Sequence, residues 1–111
     1  MTEPEWKLDY YVARNGKIPF RQWFESVNDE KALLAIEGRL ARLRSGNFGT
    51  CESIGNGVFE LKIYYGPGYR IYFGRKENKV ILLLCGGTKS TQWKDIRTAH
   101  AYWNNFKEKQ K

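Results

Sequence analysis

The run VFELKIYYGPGYRIYF, residues 58–73, decides how this chain folds. Read with a period of two, Phe59, Leu61 and Ile63 fall on one side of a strand and Glu60, Lys62 and Tyr64 on the other. Gly66-Pro67-Gly68 then supplies the turn chemistry of a hairpin loop. The strand after it repeats the alternation, with Tyr69, Ile71 and Phe73 opposed to Arg70 and Tyr72. Two antiparallel strands therefore share one apolar face and one polar face. A third strand, Val80 to Cys85, is apolar on both faces and reads as interior to the sheet, ended by Gly86-Gly87.

Working outward, the upstream sequence supplies helices for the apolar face. Trp6 to Arg14 alternates as a strand, with Trp6, Leu8, Tyr10 and Val12 on one side, and Asn15-Gly16 turns the chain. Pro19 opens a short helix in which Phe20, Trp23 and Phe24 recur at helical spacing. Asn28 or Asp29 caps a longer helix carrying the stripe Leu33, Ile36, Leu40 and Leu43, with Lys31, Arg39, Arg42 and Arg44 mainly off it and Gly46 ending it. A short extra strand fits near Cys51 to Ile54. Downstream, the loop Thr88-Lys89-Ser90 leads into a last helix, capped by Ser90 or Thr91, with Ile96, Ala99, Trp103 and Phe106 on one face. The order is β-α-α-β-β-β-α. It predicts an α+β domain: an antiparallel sheet with an N-terminal helical hairpin on one face and a C-terminal helix, leaving the polar face of the hairpin strands uncovered.

At 111 residues and 13.0 kDa, residues 1–111 form one domain, and 41% apolar content supplies its core. The tail KEKQK, residues 107–111, reads as frayed. The longest apolar run is the six residues from Val80 to Cys85, far below the roughly 20 that a spanning helix needs. The N-terminus lacks the layout of a signal peptide, so a soluble cytoplasmic protein without a membrane partner is expected. Two cysteines, Cys51 and Cys85, and one histidine, His100, suit neither a disulfide scaffold nor a zinc site. Two reduced, buried thiols are expected, and no metal or cofactor. The net charge of +7 points to a polyanionic partner. Residues 1–56 hold 8 Lys/Arg against 8 Asp/Glu and residues 57–111 hold 11 against 4, so the excess belongs to the second half.

The polar face carries the candidate chemistry. Glu60, Lys62, Arg70 and Tyr72 share it, and Lys89 enters from the loop after the neighbouring strand. Such a set suits RNA cleavage by the ribose 2′-hydroxyl, which needs a base for its proton, a cation for the pentavalent phosphate and an acid for the leaving 5′-oxygen. Glu60 or Lys62 is the candidate base, Arg70 the clamp, and Lys89 a clamp or acid. The bland alternative is cross-strand pairing of Glu60 and Lys62 with Arg70 as ordinary surface electrostatics. Tyr69 and Tyr72 suit either base stacking or strand packing. Trp93, beside Lys94, is a further RNA-binding candidate, although its place one turn before Ile96 favours core burial. No GxxxxGK[ST] accompanies Gly86-Gly87, which disfavours nucleoside triphosphate binding. His100 reads as a helix-face residue.

The segments RLARLRSGNFG (39–49), FELKIYYGPGYRIYF (59–73), VILLLCGGTKSTQWKDI (80–96) and AHAYWNNF (99–106) together resemble the addiction-module killer proteins, a HigB-like branch of the RelE/ParE toxin superfamily. The resemblance covers nearly the whole chain. It implies a RelE/ParE-like fold and an endoribonuclease that cleaves messenger RNA on the ribosome, neutralised by a helix-turn-helix, HigA-like antitoxin. On it, Arg70 stabilises the scissile phosphate, with Lys62 and Lys89 as further cations. Glu60 stands where some relatives are basic, and the late tyrosine of some members has no counterpart, Trp93 or Asp95 taking part of its place. Two other functions compete: a ParE-like toxin that binds a protein such as gyrase, and an inactive remnant acting as an antitoxin-binding module. The neutral N-terminal half predicts that the helical hairpin is not an RNA surface; it or the basic groove would receive an acidic antitoxin segment.

Overall fold

In the computed structural model, which describes residues 5–110, the two alternating runs form the middle of one five-stranded sheet. The strands are β1 (Lys7–Tyr10), β2 (Cys51–Ser53), β3 (Val58–Ile63), β4 (Tyr69–Glu77) and β5 (Val80–Thr88). The helices are α1 (Pro19–Ser26), α2 (Glu30–Arg44) and α3 (Gln92–Lys109), with a single 3₁₀ turn at Lys89–Thr91 before α3. The strands lie in the order β1-β5-β4-β3-β2. This is an α+β fold with a mixed sheet, because β1 runs parallel to β5 whereas every other pair is antiparallel. The wholly antiparallel sheet expected from sequence is corrected at that edge. Alternation identifies a strand but carries no information about the direction of its partner.

Local chemistry accounts for the helices. Pro19 stands at the start of α1, where its missing N–H costs nothing. The Asp29 carboxylate accepts from the backbone N–H groups of Lys31 and Ala32 and so caps α2. Gly46, at φ +92°, takes the left-handed conformation that ends it. Leu61, Ile63, Ile71 and Phe73 meet Phe20, Ile36 and Leu43 in the core between the sheet and α1/α2. Both cysteines are free, Cys51 half-buried on this side and Cys85 buried on the other.

The opposite face is not left uncovered. Tyr72, Leu82, Leu84 and Cys85 pack there with Ala99 and Trp103 of α3, so the sheet lies between two helical layers. Three further expectations change with it. Gly86 and Gly87 continue β5 to Thr88 instead of ending it. Lys107 to Lys109 belong to α3, so the expected frayed tail is helical there; Lys111 lies outside the described residues, as do residues 1–4 of the segment read for a signal peptide. The strand expected over Trp6 to Arg14 is confined to Lys7–Tyr10. Among the described residues, no helix is long and apolar enough to cross a membrane.

Candidate functional site

Register places the predicted residues in two rows across the α3 side of the sheet. Arg70 of β4 lies opposite Lys62 of β3 and Gly87 of β5. One step along, Tyr72 lies opposite Glu60 and Cys85, and Glu60 lies opposite Glu52 of β2. The first row sits at the rim where α3 begins, and the second lies beneath it.

The buried row is a closed polar network. Glu60 is only 2% exposed. Its Oε2 accepts from the Tyr72 hydroxyl at 3.0 Å and the Gln92 side-chain amide at 2.8 Å, with Arg70 Nε at 3.5 Å. A buried carboxylate needs such partners, since desolvation costs several kcal/mol when uncompensated. Burial, and then the Glu60 charge, raise the Tyr72 hydroxyl far above the ordinary phenol value, so it stays a donor. Burial likewise raises the Cys85 thiol well above its usual range. These contacts overturn the placement of Glu60, Arg70 and Tyr72 on an open surface. Periodicity assigned the face correctly, but α3 covers it.

The rim row remains reachable. Arg70 Nη1 donates to the Gly68 carbonyl at 3.0 Å, and the Lys89 backbone N–H donates to the same oxygen at 2.8 Å. The Gly-Pro-Gly turn and the 3₁₀ turn are thus tied at one atom, which sets Arg70 beside Lys89. Gly68 adopts φ +79°, a conformation a side chain would strain. About a tenth of the Arg70 side chain is solvent-accessible, and Lys89 is exposed. Lys62 Nζ, read as a candidate base, pairs with the Glu52 carboxylate at 3.3 Å.

The aromatic candidates separate. Tyr69 is buried on the α1/α2 side, edge-on to Trp23, and Tyr72 is wholly buried, so neither offers a face to a base. Trp93, read as either a core or an RNA-binding residue, is 84% exposed, with Lys94 exposed beside it at the start of α3. His100 sits on the helix face, its Nε2 2.9 Å from the Ile54 carbonyl. Sequence reasoning missed two participants: Glu52 is recognisable only from the β2–β3 register and Gln92 only from the docking of α3. Asp95, which the resemblance offered in part of the late tyrosine's place, instead accepts a hydrogen bond from Thr91 over Gly87. A Cβ at Gly87 would overlap the Asp95 carboxylate. The glycine read as ending a strand is what lets α3 approach.

Fold and site together define a small α+β domain whose mixed sheet carries a cationic rim at the N-terminal end of its last helix. No protein-family model matches the chain. It is 43% identical over 82 residues to an uncharacterized protein of Haemophilus influenzae, a stretch covering 74% of this chain and 83% of that protein. The chain belongs to the same family as that protein.

Proposed function

We propose that this protein is the toxin of a type II toxin–antitoxin system, a HigB-like member of the RelE/ParE superfamily that cleaves messenger RNA on the ribosome. The observation that carries the reading is the rim itself. Arg70 and Lys89 meet at the Gly68 carbonyl, Lys62 stands in register with Arg70, and Trp93 and Lys94 lie exposed on the adjoining helix end. Four cations beside an open indole suit a single-stranded phosphodiester and its base. The resemblance in residues 39–49, 59–73, 80–96 and 99–106 supplies the substrate class and the HigA-like antitoxin.

In this mechanism Arg70 neutralises the charge growing on the scissile phosphate. Glu60 does not touch substrate; it is a positioning residue that holds Arg70 through the buried pair. The 2′-hydroxyl proton passes to the Glu52 carboxylate, which is solvent-open and steadied by Lys62. The 2′-oxygen bonds to phosphorus, the P–O5′ bond breaks, and the Lys89 ammonium protonates the leaving 5′-oxygen. The products are a 2′,3′-cyclic phosphate and a 5′-hydroxyl end.

Induction of the Arg70→Ala variant should no longer arrest growth. Because that change also strips Glu60 of its cation, the exposed Lys89→Gln variant serves beside it, with the parent melting profile as the check on folding. Both variants remaining as toxic as the parent would refute the site. Pulse labelling separates the ParE-like alternative: immediate loss of protein synthesis supports RNA cleavage, whereas DNA damage with continuing translation supports a gyrase-type target. Growth unaffected by the parent protein, with no antitoxin present, would leave an inactive remnant.

A further inference from the structure

A cleft of about 500 Å³ opens between α2 and β3, on the flank of the sheet next to the rim. Arg39, Arg42, Thr50, Lys62 and Tyr64 line it, and among the described residues no Asp or Glu does. Arg39 is the unusual member. It is only 6% exposed, and its Nη2 donates to the Phe48 carbonyl at 3.1 Å. Among the described residues no carboxylate lies within ion-pair distance of Arg39 or Arg42. The close approach of the guanidinium leaves no room for a Cβ at Gly49, which adopts φ +58°. Burial, and then the Arg42 charge, pull the Arg39 guanidinium below its usual pKa. A buried charge without a counter-ion is costly to keep, and an anion entering the cleft would offset that cost.

Two features indicate which anion. Lys62 belongs to both places, lining the cleft while standing in register with Arg70 of the rim. Tyr64, 78% exposed, adds an aromatic face. Cations that follow one path, interleaved with an open ring, are the recognition pattern for a single strand. An acidic peptide would instead want a row of apolar anchors, and besides its two tyrosines, Tyr64 and Tyr65, the cleft offers Ala35 and the buried Ile63.

We infer that this cleft is a second phosphate subsite for single-stranded RNA, holding a further backbone phosphate of the strand whose scissile phosphate lies at Arg70. This rests on the proposed RNA site and extends it onto α2, whose neutral half of the sequence conceals the cations. The ligand-facing groups are Arg39, Arg42 and the Thr50 hydroxyl, with a base against Tyr64.

The test is fluorescence anisotropy of a labelled, fully 2′-deoxy-substituted ten-nucleotide strand, which keeps the phosphates and blocks cleavage. Arg42 is exposed and, among the described residues, its side chain has no hydrogen-bond or ion-pair partner to lose, so Arg42→Gln should fold as the parent does, checked by its melting profile. It should bind about tenfold more weakly at low salt, the loss of one charge-assisted contact. Its log-affinity against log-salt slope should be shallower by about 0.7, one single-strand phosphate. Arg42→Gln binding like the parent while Lys89→Gln binds more weakly would overturn the cleft and leave the rim standing. Parent protein that does not bind the strand would overturn both. A short oligoglutamate that binds the parent and is lost in Arg42→Gln, with RNA binding unchanged, would assign the cleft to an acidic protein partner and overturn the RNA subsite. Arg42-dependent binding without any cleavage of the corresponding ribo-strand on ribosomes would keep the subsite and discard the nuclease.

Discussion

Glu60 shows how one residue's role depends on what covers it. Its Oε2 is held by Tyr72 and Arg70 of β4 and Gln92 of α3, so it joins α3 to the sheet and aims Arg70 outward. Tyr72→Phe removes one donor to a buried carboxylate and should cost about 1–3 kcal/mol at neutral pH. The cost should also depend on pH. The Tyr72 hydroxyl is raised above its ordinary value of 10.0, so the native state keeps the proton after the unfolded chain has lost it. Its contribution is therefore whole below about pH 10 and declines as pH climbs beyond it. Urea unfolding of parent and variant between pH 7 and 11 should show the gap narrowing above pH 10; Tyr11 and Tyr102, also raised, are common to both and cancel. A gap that stays constant to pH 11 would refute the buried Tyr72–Glu60 hydrogen bond. The face that Glu60 occupies was legible from period two. Its burial was not, because alternation says which side a residue takes and nothing about a helix that arrives thirty positions later.

At the level of elements, strand glycines decide how closely the helices approach. Gly74 of β4 receives the Trp103 ring of α3, and Gly86 of β5 receives the Trp23 ring of α1, each ring occupying the space of a Cβ. Gly74→Ala should therefore overpack the α3 interface and destabilise the protein by about 1–3 kcal/mol. Gly38 provides the contrast: it lies in α2 with nothing within 4 Å of a Cβ, so Gly38→Ala should stabilise by about 0.5–1 kcal/mol. Opposite signs from the same substitution, read as urea midpoints, test whether close packing rather than backbone entropy governs these sites; destabilisation by both would count against it. The strands, the α2 cap at Asp29, the stop at Gly46 and the faces of β3 and β4 were all readable from local pattern. The parallel pairing of β1, the continuation of β5 through Gly86-Gly87 and the exposure of Trp93 were not, since each is set by a partner distant in sequence. A helical stripe beginning at Ile96 gave Trp93 an apolar neighbour, but Gln92 and Asp95 take the sheet-facing side of the first turn of α3 and leave the indole in water.

Over the whole molecule, the charge is arranged differently from its distribution along the chain. All of the +7 excess belongs to residues 57–111, and that count pointed to the rim of Lys62, Arg70, Lys89 and Lys94. The fold then brings Arg39 and Arg42, from the neutral half, to the cleft that Lys62 also lines. Summing by halves hides them because the acidic residues that balance them, such as Glu30 and Glu37, are exposed elsewhere on α2 and do not line the cleft. Salt dependence tells the two arrangements apart. Each phosphate contact on a single strand contributes about −0.7 to the slope of log affinity against log salt, so four rim contacts give about −3 and a fifth, the phosphate held by Arg39 and Arg42, about −3.5. Measured on the same deoxy-substituted strand from low to moderate salt, the parent should approach the steeper value and Arg42→Gln should fall back by one contact. A parent slope near −3 that Arg42→Gln leaves unaltered confines the RNA to the rim. A slope near zero removes phosphate recognition altogether, because a site built from these cations cannot bind a polyanion without releasing its counter-ions.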